Sequence, residues 1–202
     1  LGSLEIMGVL SHATNTIAEG EVMQLANIGN CALSEAEYRE VIRCKTALLF
    51  EAASHTGALL ASQQVSAIDA EQVESMRRFG LHFGLAYQLL DDWLDYRGNS
   101  ESMGKNVGDD LAEGKLTLPL IYALENADAT DQAIVRDAID SKNVDMLGDI
   151  LRIVDQCGAL AYTRTCAQRE IETALHYLNQ IPDNDYQQAL MQLSHYSLSR
   201  LG

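Results

Sequence analysis

Gln88, Asp91, Asp92 and Asp95 lie within one short run, Gln88-Leu89-Leu90-Asp91-Asp92-Trp93-Leu94-Asp95-Tyr96. On a helix turning about 100° per residue, these four polar groups fall within an arc of about 100°. Gly80 and Gly84 share that arc, and Phe83, Tyr87, Leu90 and Leu94 occupy the opposite flank. Three carboxylates this close repel one another unless a cation sits among them. Oxygen-only donors suit a hard ion such as Mg²⁺, which is commonly held by one or two carboxylates together with substrate phosphates. The run therefore predicts a helix that packs on one side and offers acids above a floor without side chains on the other. Taken alone, it reads first as a solvated acidic helix end; the residues around it favour the metal.

The segment that follows, Met103-Gly104-Lys105-Asn106-Val107-Gly108-Asp109-Asp110-Leu111-Ala112-Glu113-Gly114-Lys115, carries three Gly, two Lys and a second adjacent acid pair. It is too polar to pack and too rich in Gly for a good helix, so it reads as a loop. A loop leaving an acidic helix end and presenting Lys105 and Lys115 can close over a metal-bound phosphate; in isolation it would be an ordinary surface connection. Upstream, Lys45 stands among Ile42, Thr46, Ala47 and Leu48. A lysine in so apolar a stretch either snorkels or aims at an anion.

The elements that must position these groups are helices. Apolar residues at helical spacing (Ile6, Val9, Leu10, Ala13, Ile17, Val22, Leu25) predict a packed helix from Leu4 to about Ile28. Ser34 and Glu37 form a capping box opening a helix to about Ala61, and Asp69 and Gln72 open the long helix to Tyr96. Thr117-Leu118-Pro119 restarts a helix with Pro in its first turn. Further helices are expected over 131–140, 144–156, 160–178 and 186–201. No run reads as a strand. The chain is all-α and, at 202 residues, is long enough for a single domain with a sizeable core. A net charge of −15 disfavours a nucleic-acid partner but not a phosphate substrate, which a few placed cations can hold. Four Cys without paired spacing read as reduced thiols of a cytoplasmic protein. No apolar run is long enough to cross a membrane. His176 and His195 are isolated. The chain opens at Leu1 inside a predicted helix with no initiator Met, and so reads as part of a longer protein.

The runs YQLLDDWLDY and GKNVGDDLAEGKLTLPL resemble the second aspartate-rich region of the trans-type isoprenyl diphosphate synthases. Within these polyprenyl synthases the likeness is strongest to long-chain bacterial members such as the octaprenyl diphosphate synthases. IAEGEVMQL and the Lys45-Thr46 pair followed by FEAA also match. The resemblance implies an antiparallel helical bundle around a central cavity, here lacking its N-terminal helices, with residues 1–202 forming the C-terminal two-thirds. It implies a prenyltransferase that condenses isopentenyl diphosphate with an allylic diphosphate such as farnesyl diphosphate, to make a long-chain all-trans product for quinone side chains. The cofactor would be Mg²⁺ held by Asp91, Asp92 and Asp95. Lys45, Gln88 and Asp91 would be catalytic. Lys45, Thr46, Gln88, Lys105 and Lys115 would bind substrate, and Asp110 would act through water. Gly80, Gly84, Ala52 and Leu49 would wall the carbocation. A homodimer is implied as well. The family's first aspartate-rich motif and its arginines precede the position of Leu1, so these residues make half of a site, and turnover by this chain alone is not expected.

Three other readings compete. A non-catalytic or truncated paralogue would keep the fold without turnover. A terpene cyclase would carry a different second metal motif from DDWLD. A plain helical interaction module would show no Mg²⁺-dependent diphosphate binding.

Overall fold

A computed structural model describes residues 2–65, 68–97 and 108–200. Among them all regular structure is helical: α1 (Leu4–Ala26), α2 (Glu35–Ile42), a π-helical turn (Arg43–Ala47), α3 (Leu48–Gln64), α4 (Ala70–Arg97), α5 (Asp109–Glu113), α6 (Leu118–Asn126), α7 (Ala129–Ser141), a 3₁₀ turn (Val144–Met146), α8 (Leu147–Gln156), α9 (Ala159–Leu178) and α10 (Asp185–Ser199). Both expected capping boxes form. The Ser34 and Glu37 backbone N–H groups donate to Glu37 Oε2 and Ser34 Oγ, at 2.9 and 3.3 Å. Asp69 and Gln72 pair in the same way, at 3.1 and 2.8 Å. Each satisfies N–H groups that a helix start leaves without intrahelical partners.

The chain forms two compact units. The first comprises Leu1–Glu21, Ile42–Gln88 and Ala167–Gly202. Its largest apolar cluster joins Phe79, Phe83 and Ala86 of α4 to Ile171, Ala174 and Leu178 of α9. A second joins Ile6, Leu59 and Val73, and a third joins Ala13, Leu48 and Ala52. The other unit comprises Val22–Val41 and Leu89–Cys166. There α6 packs on α7 and α8, with Leu118, Leu120, Ile121, Val135, Ile139, Ile150 and Ile153 closed off from solvent.

Three expectations are corrected. The buried stripe of α1 is Ile6, Ala13, Thr16 and Gly20, while Leu10, Val22 and Leu25 are exposed. Small residues set this face, because α1 approaches its neighbour closely: a Cβ on Gly20 would stand 2.5 Å from the backbone N of Lys45. Gly80 and Gly84 do not floor an open site. A Cβ at Gly80 would lie 2.4 Å from Phe50 O, and one at Gly84 would lie 2.6 Å from Ala47 Cα. These glycines let α4 close onto α3 and the π turn. Ala52 likewise packs in the cluster with Ala13 and Leu48, and Leu49 faces outward. Finally, the stretch read as pure loop contains α5, bracketed by Gly108 and Gly114 at φ of 89° and 71°. Positive φ suits glycine and ends the helix at each side.

Candidate active site

The helix expected from Ser34 to Ala61 contains a π-helical turn at Arg43–Ala47, which holds Lys45 and Thr46. Such single turns reset the helical phase and recur at functional sites. Its neighbours on both sides are glycines, Gly20 at Cys44 and Lys45 and Gly84 at Ala47. Thr46 Oγ1 donates to Gln88 Oε1 at 2.9 Å, so two predicted site residues, 42 positions apart, meet. Lys45 Nζ lies 2.7 Å from Glu21 Oε2, with the lysine side chain 31% exposed. Two turns beyond Thr46 on α3 (seven residues, roughly 10 Å), Ala53 begins the lining of an apolar groove of about 840 Å³. Gly57, Ala61, Met76, Pro182 and Tyr186 continue it.

In the other unit the acid face divides. Adjacent residues on a helix point about 100° apart, and Asp92 turns inward from Asp91. Its side chain is 0% exposed, while Asp91 and Asp95 stay partly exposed. Tyr38 Oη donates to Asp92 Oδ2, and Lys115 Nζ donates to Asp92 Oδ1 at 3.3 Å. Lys115 also donates to Asp110 Oδ1 at 2.9 Å. The segment carrying Asp110 is tied back to the end of α4: Gly108 N–H donates to the Asp95 carbonyl at 3.0 Å, and Asp110 N–H to Asp95 Oδ2 at 3.3 Å. Lys105 lies outside the described residues.

Burial dominates the electrostatics here. It raises the Asp95 carboxyl to about 6; Asp109 and Asp92 add to the rise, and the Asp110 N–H and Lys115 oppose it. Asp110 is raised by burial and by Asp92, against Lys115. Burial works to lower the pKa of Lys115, but Asp92 and Asp110 carry it above the ordinary lysine range. Tyr38 is raised by burial and then by Asp92, so its hydroxyl keeps its proton and serves as a donor. Among the described residues no three His, Cys, Asp or Glu side chains stand close enough to enclose a metal ion. Mg²⁺ does not require such an enclosure, since it takes one or two carboxylates plus substrate oxygens.

Comparison with known proteins identifies the family. Residues 1–156 match the polyprenyl synthetase family. The chain belongs to that family. It is 40% identical over 201 residues to the octaprenyl diphosphate synthase of Escherichia coli K12, covering 99% of this chain and 61% of that one. A decaprenyl diphosphate synthase structure from Rhodobacter capsulatus superposes with a TM-score of 0.90 at 36% identity, covering 100% of this chain and 61% of that one. A polyprenyl synthase from Caulobacter crescentus CB15, complexed with calcium and isoprenyl diphosphate, does so with a TM-score of 0.90 at 38% identity, covering 99% and 60%. The chain thus spans about three-fifths of the length of the relatives it matches. As in those polyprenyl synthases the chain is all-α.

Sequence reasoning missed Tyr38, Glu21 and Gly20. Tyr38 sits on a half-apolar helix beside Val41 and Ile42, where a tyrosine reads as core, and its partner is 54 residues away. Gly20 lies within the matching IAEGEVMQL run, but the close approach that requires it is a tertiary property.

Proposed function

We propose that this chain is the larger part of a trans-prenyltransferase that joins isopentenyl diphosphate to an allylic diphosphate such as farnesyl diphosphate, giving a long-chain polyprenyl diphosphate for quinone side chains. The observation that carries this reading is the lysine-centred acid cluster at the end of α4: Lys115 held by Asp92 and Asp110, with Asp95 bonded to the backbone of Asp110.

The donors are all oxygens, which fits Mg²⁺. Asp91 and Asp95, the motif acids that keep solvent exposure, would hold it. When bound, the ion supplies the positive charge that the departing diphosphate needs as the allylic C–O bond breaks. Lys115 would add a cationic donor to the same oxygens, a role that the family resemblance gives to Lys105 as well. Lys45 is poised to exchange partners: its pair with Glu21 is partly exposed, and such pairs are worth about 0–1 kcal/mol. A multiply charged diphosphate would outcompete that carboxylate. Within its own unit Thr46 holds the amide of Gln88, which the family resemblance assigns to the allylic end, and the apolar groove beginning at Ala53 has the lining to take a hydrocarbon. The remaining part of the relatives' length would supply the isopentenyl diphosphate half of the site. The same reading makes the enzyme a cytoplasmic homodimer, for which the exposed Leu4, Met7 and Leu10 of α1 offer an apolar face; sedimentation velocity tests it.

Titration calorimetry of the chain with inorganic pyrophosphate, and with farnesyl thiodiphosphate, with and without Mg²⁺ tests the proposal. Binding should require the metal and be lost in Asp91→Ala. Metal-independent binding, or none, would overturn it. Turnover is to be measured on a chain extended to the relatives' length, where isopentenyl incorporation separates an enzyme from a non-catalytic subunit.

A further inference from the structure

The two adjacent aspartates of the motif stand in different surroundings. The Asp92 side chain is fully enclosed, and each of its carboxylate oxygens has a partner, Oδ2 the Tyr38 hydroxyl and Oδ1 the Lys115 ammonium. An ion that dehydrates reluctantly and keeps several waters is poorly served by a carboxylate in that position. The Lys115 side chain, in contrast, keeps 16% of its surface exposed. An ammonium has three donors; Asp92 and Asp110 take two. A bound anion would take the third. A carboxylate bonded through one oxygen can still swing about its terminal torsion. The Tyr38 bond to the other oxygen stops that swing, and so fixes where Lys115 sits.

We propose that Tyr38 is a positioning residue which, through Asp92, aims Lys115 at the leaving diphosphate, and that Asp92 is a lysine anchor and not a metal ligand. Phenylalanine would fill the same space at position 38, so the function lies in the hydroxyl. This inference rests on the proposed prenyltransferase reading for its ligand, but the coupling of Tyr38 to Lys115 can be read without one.

Two measurements on the chain test it. The first is the acylation rate of Lys115 by an amine-reactive ester, followed by mass spectrometry against the other lysines. Tyr38→Phe should raise it several-fold, and Asp92→Asn, which keeps the shape and removes the charge, should do the same. The second is binding of inorganic pyrophosphate with Mg²⁺. Tyr38→Phe should weaken it about tenfold, as expected for one misplaced charge-assisted hydrogen bond, and should have no further effect in a Lys115→Met background. The Mg²⁺ concentration needed for half-maximal pyrophosphate binding should be unchanged in Asp92→Asn and driven beyond the measurable range in Asp91→Ala. If wild-type chain ignores Mg²⁺–pyrophosphate while Lys115 acylation still responds to Tyr38→Phe, the prenyltransferase reading falls and the Tyr38–Lys115 coupling stands. If acylation does not respond, or if Tyr38→Phe and Lys115→Met weaken binding additively, the positioning role is overturned. Loss of Mg²⁺ affinity in Asp92→Asn would overturn the anchor assignment.

Discussion

The chain holds two lysines in opposite ways. Lys45 rides on a π-helical turn wedged between glycines, and its ammonium meets one partly exposed glutamate. Lys115 sits in a charge network whose centre, Asp92, is sealed from water. In the first case backbone packing fixes the position and electrostatics contribute little. In the second, buried charges determine one another's position, and removing any member takes a partner from another. A lysine that must change partners when substrate arrives is suited by the first arrangement, and one that must already be aimed is suited by the second.

The largest effect should come from breaking the buried network. Lys115→Met removes the ammonium that bonds Asp92 and Asp110 and should destabilise the protein by about 3 kcal/mol, against under about 1 kcal/mol for Lys45→Met. Urea unfolding of the two variants compares them directly, and equal losses would erase the distinction drawn here. Next in size is the steric side. Gly20→Ala would drive a Cβ to 2.5 Å from Lys45 N and 2.9 Å from Cys44 C, backbone atoms that cannot swing aside. A loss of about 1–3 kcal/mol is expected, together with weaker farnesyl thiodiphosphate binding, because Lys45 and Thr46 move with the turn. A stability loss with unchanged binding would uncouple the turn from the site. Thr46→Val removes the bond to Gln88 and should cost about 1 kcal/mol, read as a shift in the urea midpoint.

The smallest effect separates surface charge from both. Arg77 holds the Glu74 carboxyl at about 2, burial opposing it and Arg78 adding to it. A carboxyl lowered in the folded state stabilises above its unfolded pKa of about 4.3, and that contribution fades as the pH falls toward 2. The Glu74 side chain is 49% exposed, so screening limits the contribution to under about 1 kcal/mol. Glu74→Gln should flatten the stability profile between roughly pH 4 and pH 2 and leave pyrophosphate binding unchanged. A flattened profile at neutral pH would instead point to the acid cluster.

Helix positions were readable because their signals are local. Ser34 with Glu37 and Asp69 with Gln72 mark their helices by residues three apart, and Pro119 marks the first turn of α6. The pairing of Thr46 with Gln88 was foreshadowed only as membership of one site. The split between Asp91 and Asp92 is not legible in the sequence, because an arc on a helical wheel says which residues share a side and not which edge of that side a neighbouring tyrosine will cover. The glycines at 80 and 84 read as an open floor for the same reason: an absent side chain marks a close approach without saying what approaches.

The sequence by itself determined the helical class, the helix starts and the residue types of the motif, since capping, periodicity and residue type act over a few positions. The tertiary structure alone decided which acid faces inward, where the helix takes its π turn and which lysine is buried. Those outcomes depend on Tyr38 meeting Asp92 and on Gly20 meeting Lys45, and burial and close contact between distant residues arise only once the chain has packed.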